Sequence, residues 1–359
     1  MRIYTDTLIS ILKDYIRNGA LSSTTAFEGW NSDDWAALMK LSTKQGVSSI
    51  VYNTIISKID NEKIPLKIKL NWALLSEKIE NRVKTQNTQA NDIASIWAKH
   101  GIRTVVLKGL GLGGYYPTVW IRECGDFDCF LFDDYQKGID IALSQGGIFL
   151  HDDYKHSQIK YKNIAIEVHK YFTSFRGEIV KHQLENDLQK LIREEIPKPI
   201  VSGSNILIAS STFNACFLLY HTQFHFLFES VKLRHLLDWV LFVQAEQANI
   251  NWEYVVSFCK KYKLIKFAEA LNAIGQNYFG VELNTPFANH STYRDRVMND
   301  ILNDNEGVSN KSGWSRRFQL LKNTTKTQWK YKLIDSTFVW ETAKRAYYFL
   351  FSKDKLKTS

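Results

Sequence analysis

The sequence contains few cysteines and no long apolar run, and both absences exclude classes of protein. None of its four cysteines forms a C-x-x-C pair, so neither a zinc knuckle nor a thiol redox motif is present. The most apolar stretch, residues 213–228, is interrupted by two histidines and a glutamine. A membrane span needs roughly 20 consecutive apolar residues. We therefore expect reduced thiols and no association with a membrane.

The N-terminal residues 1–19 lack the features of a secretory signal peptide. Asp6 and Asp14 fall where such a peptide needs an unbroken apolar region. Leu8, Leu12 and Ile16 keep helical spacing instead. The segment is thus predicted to be an amphipathic helix, and the predicted compartment is the cytoplasm.

The composition is that of a globular protein with a moderate positive charge. Of its 359 residues, 45% are hydrophobic and 23% are charged. The net charge of +9 favours polyanionic partners such as nucleotides or nucleic acid. This indication is weak, because the sequence has no concentrated block of arginine and lysine.

Hydrophobic periodicity divides the chain into three regions and predicts an α+β fold. Residues 1–95 form a helical N-terminal region, residues 96–208 an α/β core, and residues 209–359 a helical C-terminal region with a linker near 284–313. Within the core, short β-branched segments predict strands at 102–107 and 125–132 and a hairpin across Lys162-Asn163. These elements predict a small mixed sheet flanked by helices on both sides in sequence.

Three acidic residues of the core are the candidates for a metal site. Asp126 and Asp128 lie two residues apart in a predicted strand, so both side chains point to one face. Neighbouring carboxylates repel each other unless a cation lies between them, and Mg²⁺ prefers such oxygen ligands. Glu167 lies within an apolar run of a second predicted strand, where an acid is costly unless it is paired or metal-bound. If the two strands are neighbours, the three carboxylates converge.

Residues upstream of the aspartates are suited to binding phosphate. Lys108 offers a point charge at the end of a strand, and Gly109 lets a phosphate approach the backbone closely. Arg122 could clamp a phosphate with two hydrogen bonds, or it could pair with Glu123 or another acid. His169 faces the same side as Glu167 and either supports the site or is a structural histidine.

The C-terminal region contains two histidines and an aspartate for which structural roles are considered. His221 and His225 are one helical turn apart, but no third ligand or H-E-x-x-H pattern accompanies them, so packing is favoured. Asp238 is an acid within an apolar helical segment. It is predicted to pair with an arginine or lysine, or to lie beside the substrate cleft.

Between residues 107 and 169 the sequence resembles a family of largely uncharacterised bacterial nucleotidyltransferases in the polymerase-beta-like nucleotidyltransferase superfamily. The resemblance is carried by the segments Leu107-Lys108-Gly109, Tyr116-Pro117, Arg122, Gly125-Asp126-Phe127-Asp128 and Ile166-Glu167-Val168-His169. A looser likeness extends to the segment RHLLDW at residues 234–239. The pattern as a whole is fairly specific, whereas a D-x-D pair alone is not.

The resemblance implies a small twisted sheet and a metal-dependent transfer reaction. It implies that Asp126 and Asp128 hold two metal ions, Mg²⁺ or Mn²⁺, and that Glu167 completes the metal site and is a candidate base. The wider superfamily carries Gly-Ser after the first strand, where this chain has Lys108-Gly109. Binding of a triphosphate must therefore be assigned to Lys108 and Arg122.

The leading hypothesis is transfer of a nucleoside monophosphate from a nucleoside triphosphate to a hydroxyl, with release of pyrophosphate. ATP is the leading candidate for the triphosphate. The acceptor could be a small molecule, a protein side chain or an RNA end. One alternative is a nucleotide-binding or partner-binding protein that keeps the fold without catalysis. Another is a nucleic-acid-binding module based on the basic tail at residues 322–355, which would show steep salt dependence.

Overall fold

The computed structural model describes residues 2–59, 63–173, 179–195, 197–303 and 328–337. Within these ranges it contains twelve α-helices and one seven-stranded sheet. The predicted α+β fold, a small mixed sheet with flanking helices, is confirmed. Among the helices in these ranges, none combines the length and the apolar character that crossing a bilayer requires.

The N-terminal region is helical, as predicted. Its helices are α1 (Arg2–Asn18), α2 (Ser32–Lys44), α3 (Ser48–Ile56) and α4 (Leu66–Lys99), with a 3₁₀ turn at Thr25–Phe27. The start of α2 is fixed by a capping box, in which the Asn31 side chain accepts from the backbone of Asp34 and the Asp34 side chain accepts from that of Asn31. With 34 residues, α4 runs through residue 95 and up to the first strand.

The sheet mixes parallel and antiparallel pairs. Its strands are β1 (Thr104–Val106), β2 (Phe127–Phe130), β3 (Ile148–Asp152), β4 (His156–Tyr161), β5 (Ile164–His169), β6 (Lys198–Pro199) and β7 (Ile206–Ile208). They lie in the order β3-β4-β5-β2-β1-β7-β6. The pairs β2–β5 and β1–β7 are parallel, and the other four are antiparallel. The central position of β2 and β5 matters most, because Asp128 and Glu167 lie on these strands and Asp126 immediately precedes β2.

The hairpin across Lys162-Asn163 is confirmed as β4 and β5. The sequence did not predict β3, whose residues are all exposed and show no burial alternation. Between β1 and β3 lie the single turn α5 (Leu110–Gly113) and α6 (Tyr135–Ser144).

The C-terminal region continues as helices. They are α7 (Ile179–Glu194), α8 (Ser211–Phe228), α9 (Leu233–Glu246), α10 (Trp252–Lys261), α11 (Ile265–Phe279) and α12 (Arg294–Leu302), followed by a 3₁₀ segment at Gln328–Ile334. The helix α12 lies within the predicted linker near 284–313, so residues 294–302 of that segment are helical. Most of the basic tail lies outside the described residues, and the domain boundaries at 95 and 208 stay predictions.

The two faces of the sheet pack against different hydrophobic clusters. Phe127 and Cys129 of β2 belong to a cluster with α4 and α6, whereas Phe130 belongs to a larger cluster built mainly from α1–α3, α8, α9 and α11. Asp128 therefore lies on the face that looks toward the C-terminal helices, as the alternation of the strand requires.

Candidate active site

A cavity of about 200 Å³ lies between the sheet and the helices α8 and α9. Its sheet side is lined by Lys108, Gly109, Gly125, Asp126, Asp128 and Glu167. Its helical side includes His221, Thr222, His225, Arg234, His235, Asp238 and Trp239. All three predicted carboxylates therefore open onto one cavity, together with Lys108 and Gly109.

The parallel pairing of β2 with β5 brings the carboxylates together. Asp128 and Glu167 are direct partners in the strand register, and Asp126 immediately precedes β2. Burial raises the pKa of Asp126, and the charges of Glu167 and Asp128 raise it further. The three acids thus concentrate negative charge at a point where a cation would relieve it.

Two basic side chains contact Asp128. Lys108 Nζ lies 3.1 Å from Asp128 Oδ1, and His169 Nε2 lies 3.0 Å from the same oxygen. Burial alone would raise the pKa of Asp128, but Lys108 and His169 outweigh it and hold that pKa well below its usual range. Asp128 is therefore ionised at neutral pH. His169 thus contacts an acid of the site, as one of its two predicted roles requires.

Gly109 occupies a backbone conformation that favours glycine. Its φ is +59°, and a Cβ at this position would lie 3.0 Å from Cys124 Sγ. The loop from β1 into α5 therefore brings its backbone close to the segment that carries Asp126. Because α5 is only one turn long, individual backbone N–H groups, rather than a helix dipole, would contact an anion here.

Arg122 is engaged by Asp238. Its Nε and Nη2 donate to the two carboxylate oxygens at 2.8 and 2.7 Å, and Tyr116 donates to the same carboxylate at 2.7 Å. Burial would raise the pKa of Asp238, but Arg122 outweighs this and lowers it. Arg122 lines the cavity while being held in this pair, so its contact with phosphate stays a prediction.

A second arginine, Arg234 of α9, also lines the cavity, although no role for it was predicted from the sequence. Arg234 Nη1 donates to the Glu123 carbonyl at 2.8 Å, while its buried Nε has no hydrogen-bond partner within the described ranges. Beside it, burial lowers the pKa of His235 to about 3. Arg234 therefore lines the cavity with one donor that is unpaired in this part of the chain.

The histidines of α8 lie on the helical side of the cavity rather than on the sheet side with the acids. His221 and His225 contact each other edge to face with ring centroids 4.2 Å apart, and burial lowers the pKa of His221 well below its ordinary value. Within the described part of the chain, the groups of three close side chains able to hold a metal include neither of them, nor Asp126 and Asp128, whereas Glu167 belongs to one.

Two further residues near the acids were missed, and the hairpin could have revealed one. Burial and the nearby charge of Lys108 lower the pKa of Lys155, which also feels Asp128 and Glu167. His156 pairs directly with His169 across β4 and β5. Counting outward from the predicted turn gives this pairing, so the sequence held the signal.

Residues 31–280 match the model of a family described as "Uncharacterised nucleotidyltransferase", which spans more than half of the chain. The chain belongs to this family. Membership supports nucleotidyl transfer as the general class of activity, and every predicted site residue lies within the matched range. The assignment to the polymerase-beta-like superfamily stays a prediction.

One solved structure in the comparison is that of the antibiotic-resistance factor ANT(2'')-Ia. It shares 13% sequence identity with this family member, covers 52% of this chain and 95% of its own, and superposes with a TM-score of 0.38. No curated protein matches the sequence significantly.

Proposed function

We propose that this nucleotidyltransferase family member moves a nucleoside monophosphate from a nucleoside triphosphate to a hydroxyl acceptor, with ATP as the leading candidate for the triphosphate. The observation that carries the proposal is the convergence of Asp126, Asp128 and Glu167 on one cavity beside Lys108. The acceptor is a small molecule, a protein side chain or an RNA end, and the helices α8 and α9 would contact it.

The residues present fit a divalent cation. Lys108 contacts Asp128, yet burial and the neighbouring carboxylates still raise the pKa of Asp126, so negative charge remains uncompensated. Carboxylate oxygens are the ligands that Mg²⁺ and Mn²⁺ prefer. Asp126, Asp128 and Glu167 would hold the cation. When bound, such a cation neutralises charge that develops on phosphoryl oxygens.

The protein's own groups account for substrate binding. Lys108 supplies a fixed positive charge, since Asp128 and Glu167 raise its pKa despite the opposing effect of burial. The backbone at Gly109 admits a phosphate closely, and Arg234 lines the same cavity. We assign the triphosphate to Lys108, Gly109 and Arg122, with Arg234 as a further contact.

The transfer step balances without any other reactant. The acceptor oxygen forms a bond to the α-phosphorus, and the bond from that phosphorus to the bridging oxygen breaks. Pyrophosphate leaves with the electron pair of that bond. We assign the acceptor proton to the carboxylate of Glu167, which lies at the cavity with its side chain 16% exposed.

Calorimetric binding of a nonhydrolysable ATP analogue, with and without Mg²⁺, tests the proposal. We expect Mg²⁺-dependent binding by the wild type and its loss in the double variant Asp126→Asn with Asp128→Asn. The matched control is Asp133→Asn with Asp134→Asn, a neighbouring acidic pair outside the cavity lining. Absence of wild-type binding with either Mg²⁺ or Mn²⁺ would reject the transferase proposal.

A further inference from the structure

Two histidines and an acid are arranged around one point on the sheet. His156 of β4 and His169 of β5 are direct cross-strand partners, and Glu167 precedes His169 by two residues on the same face. The Nε2 of His156 lies 3.6 Å from Glu167 Oε1, and the Nε2 of His169 lies 3.7 Å from Glu167 Oε2. The three donor atoms all lie within 4.8 Å of one another.

These separations are longer than hydrogen bonds but suit atoms that share a cation. Protein hydrogen bonds of this kind span about 2.7–3.2 Å. Two ligands bound to a tetrahedral Zn²⁺ at about 2.0–2.1 Å lie roughly 3.3 Å from each other. Small side-chain rotations would therefore bring His156, Glu167 and His169 into one coordination sphere.

Of the other two ring nitrogens, that of His169 is within hydrogen-bond distance of a carbonyl, as in many metal-bound imidazoles. His169 Nδ1 lies 3.3 Å from the Tyr171 carbonyl, which can only accept, so the tautomer with a proton on Nδ1 would donate to it and leave Nε2 available to a metal. His156 Nδ1 points toward Asp153 Oδ1 at 3.7 Å and has no hydrogen bond within the described residues. Metal-binding histidines typically direct their second nitrogen at a carbonyl or carboxylate in this way.

We propose that His156, Glu167 and His169 bind a divalent transition-metal cation of the Zn²⁺ or Co²⁺ class. Imidazole nitrogen suits these ions, whereas Mg²⁺ prefers oxygen ligands. This metal site and the proposed transfer site share Glu167. The metal site rests on the proposed function only in that Glu167 also has a catalytic role there. A competing explanation is that a protonated His169 simply donates to Asp128, 3.0 Å away.

Visible absorption of Co²⁺ added to chelator-treated full-length protein, without nucleotide, distinguishes the two explanations. We expect one Co²⁺ per chain with the d–d bands of nitrogen coordination, displaced by one equivalent of Zn²⁺. His156→Asn and His169→Asn should each weaken Co²⁺ binding at least about 10-fold. Unchanged binding in both variants, or no such bands in the wild type, overturns the proposal.

His151→Asn is the matched control, because His151 belongs with Asp153 and His156 to a second, exposed group able to hold a metal. This variant should bind Co²⁺ as the wild type does. If His151→Asn loses the bands and His169→Asn keeps them, the ion lies in the exposed group and the proposal is wrong. If the buried His169→Asn variant fails to fold, the other two variants still locate the ion. Loss of Co²⁺ binding in His156→Asn but not in His151→Asn places the ion at the proposed site, because His151 belongs only to the exposed group.

The Mg²⁺-dependent binding of the ATP analogue is measured on the same preparations. Wild type that binds the analogue but shows no Co²⁺ bands rejects the transition-metal site and leaves the proposed function intact. Wild type that binds Co²⁺ through His156 and His169 but no nucleotide rejects the proposed function and keeps the metal site.

Discussion

Arg122 and Asp238 form a buried, bidentate ion pair that joins the segment before β2 to α9, although 116 positions separate them in sequence. Because the arginine is also buried, removing the acid would leave a charge without its partner. We expect Asp238→Asn to lower the free energy of unfolding by about 3–5 kcal/mol. Urea denaturation followed by circular dichroism measures this change.

The exposed pair of Arg294 and Asp295 is the control for that experiment. Asp295→Asn should change the free energy of unfolding by about 1 kcal/mol or less, because exposed ion pairs contribute little. Equal losses in Asp238→Asn and Asp295→Asn would contradict the structural importance of the buried pair.

Asp126 is expected to destabilise the protein when no metal is bound. Its folded-state pKa lies above the ordinary value, so its ionised form opposes folding at neutral pH. Asp126→Asn should therefore raise the Tm of the metal-free protein at neutral pH. As the pH falls through the folded pKa of Asp126, its carboxylate becomes protonated in the wild type, and the difference in Tm between wild type and variant should disappear. Thermal melts in the presence of a chelator across the acidic range measure it.

Two comparisons define the outcome for Asp126. Asp140→Asn, an exposed change on α6, should leave the Tm close to that of wild type. With saturating Mg²⁺ the order should reverse, because a ligand stabilises only the form that binds it. A higher Tm for wild type than for Asp126→Asn without metal at neutral pH would contradict the prediction.

Gly109→Ala should destabilise the protein and weaken nucleotide binding. The φ of +59° and the contact with Cys124 leave little room for a Cβ, and such backbone strain costs about 1–3 kcal/mol. Gly114→Ala is the control, since a Cβ there would meet nothing within 4 Å. Chemical denaturation and calorimetry of the ATP analogue give the two quantities. A milder effect for Gly109→Ala than for Gly114→Ala would count against a special role for this loop.

Arg234→Met should weaken binding of the Mg²⁺–ATP analogue about 10- to 100-fold, because hydrogen bonds to charged groups contribute about 1.5–3 kcal/mol. The reason is that Arg234 lines the same cavity as Lys108 and Arg122, and that its Nε has no hydrogen-bond partner among the described residues. Arg17→Met, an exposed change on α1, should leave affinity unchanged. Wild-type affinity in a folded Arg234→Met protein would show that the nucleotide does not reach α9.

Local patterns were sufficient for several elements of the fold. The alternation of β4 and β5 around Lys162-Asn163 predicted their pairing, and the period of two placed Asp126 and Asp128 on one face. The parallel pairing of β2 with β5 could not be predicted, because no local pattern specifies which distant strand becomes a neighbour. The convergence of the three carboxylates was therefore predicted only on the condition that these strands are neighbours. The exposed strand β3 gave no alternation to detect.

The helical wall of the site could not be predicted for a similar reason. Asp238 is predicted to pair with a basic residue or to lie beside the cleft, and Arg122 to bind phosphate or to pair with an acid, but neither sequence segment indicates the other. Their pairing depends on how α9 packs against the sheet, which is a property of the whole core. Arg234 looked like an ordinary basic residue at a helix start until its position at the cavity was known.

The cavity is built from two walls that have different sources of rigidity. Asp128 and Glu167 are fixed by the backbone pairing of β2 and β5, whereas Arg234 and Trp239 project from α9. Side chains on the helices can be exchanged during evolution without altering how the strands pair. We therefore expect descendants of one ancestral enzyme to keep the reaction while acquiring new acceptors through changes in α8 and α9.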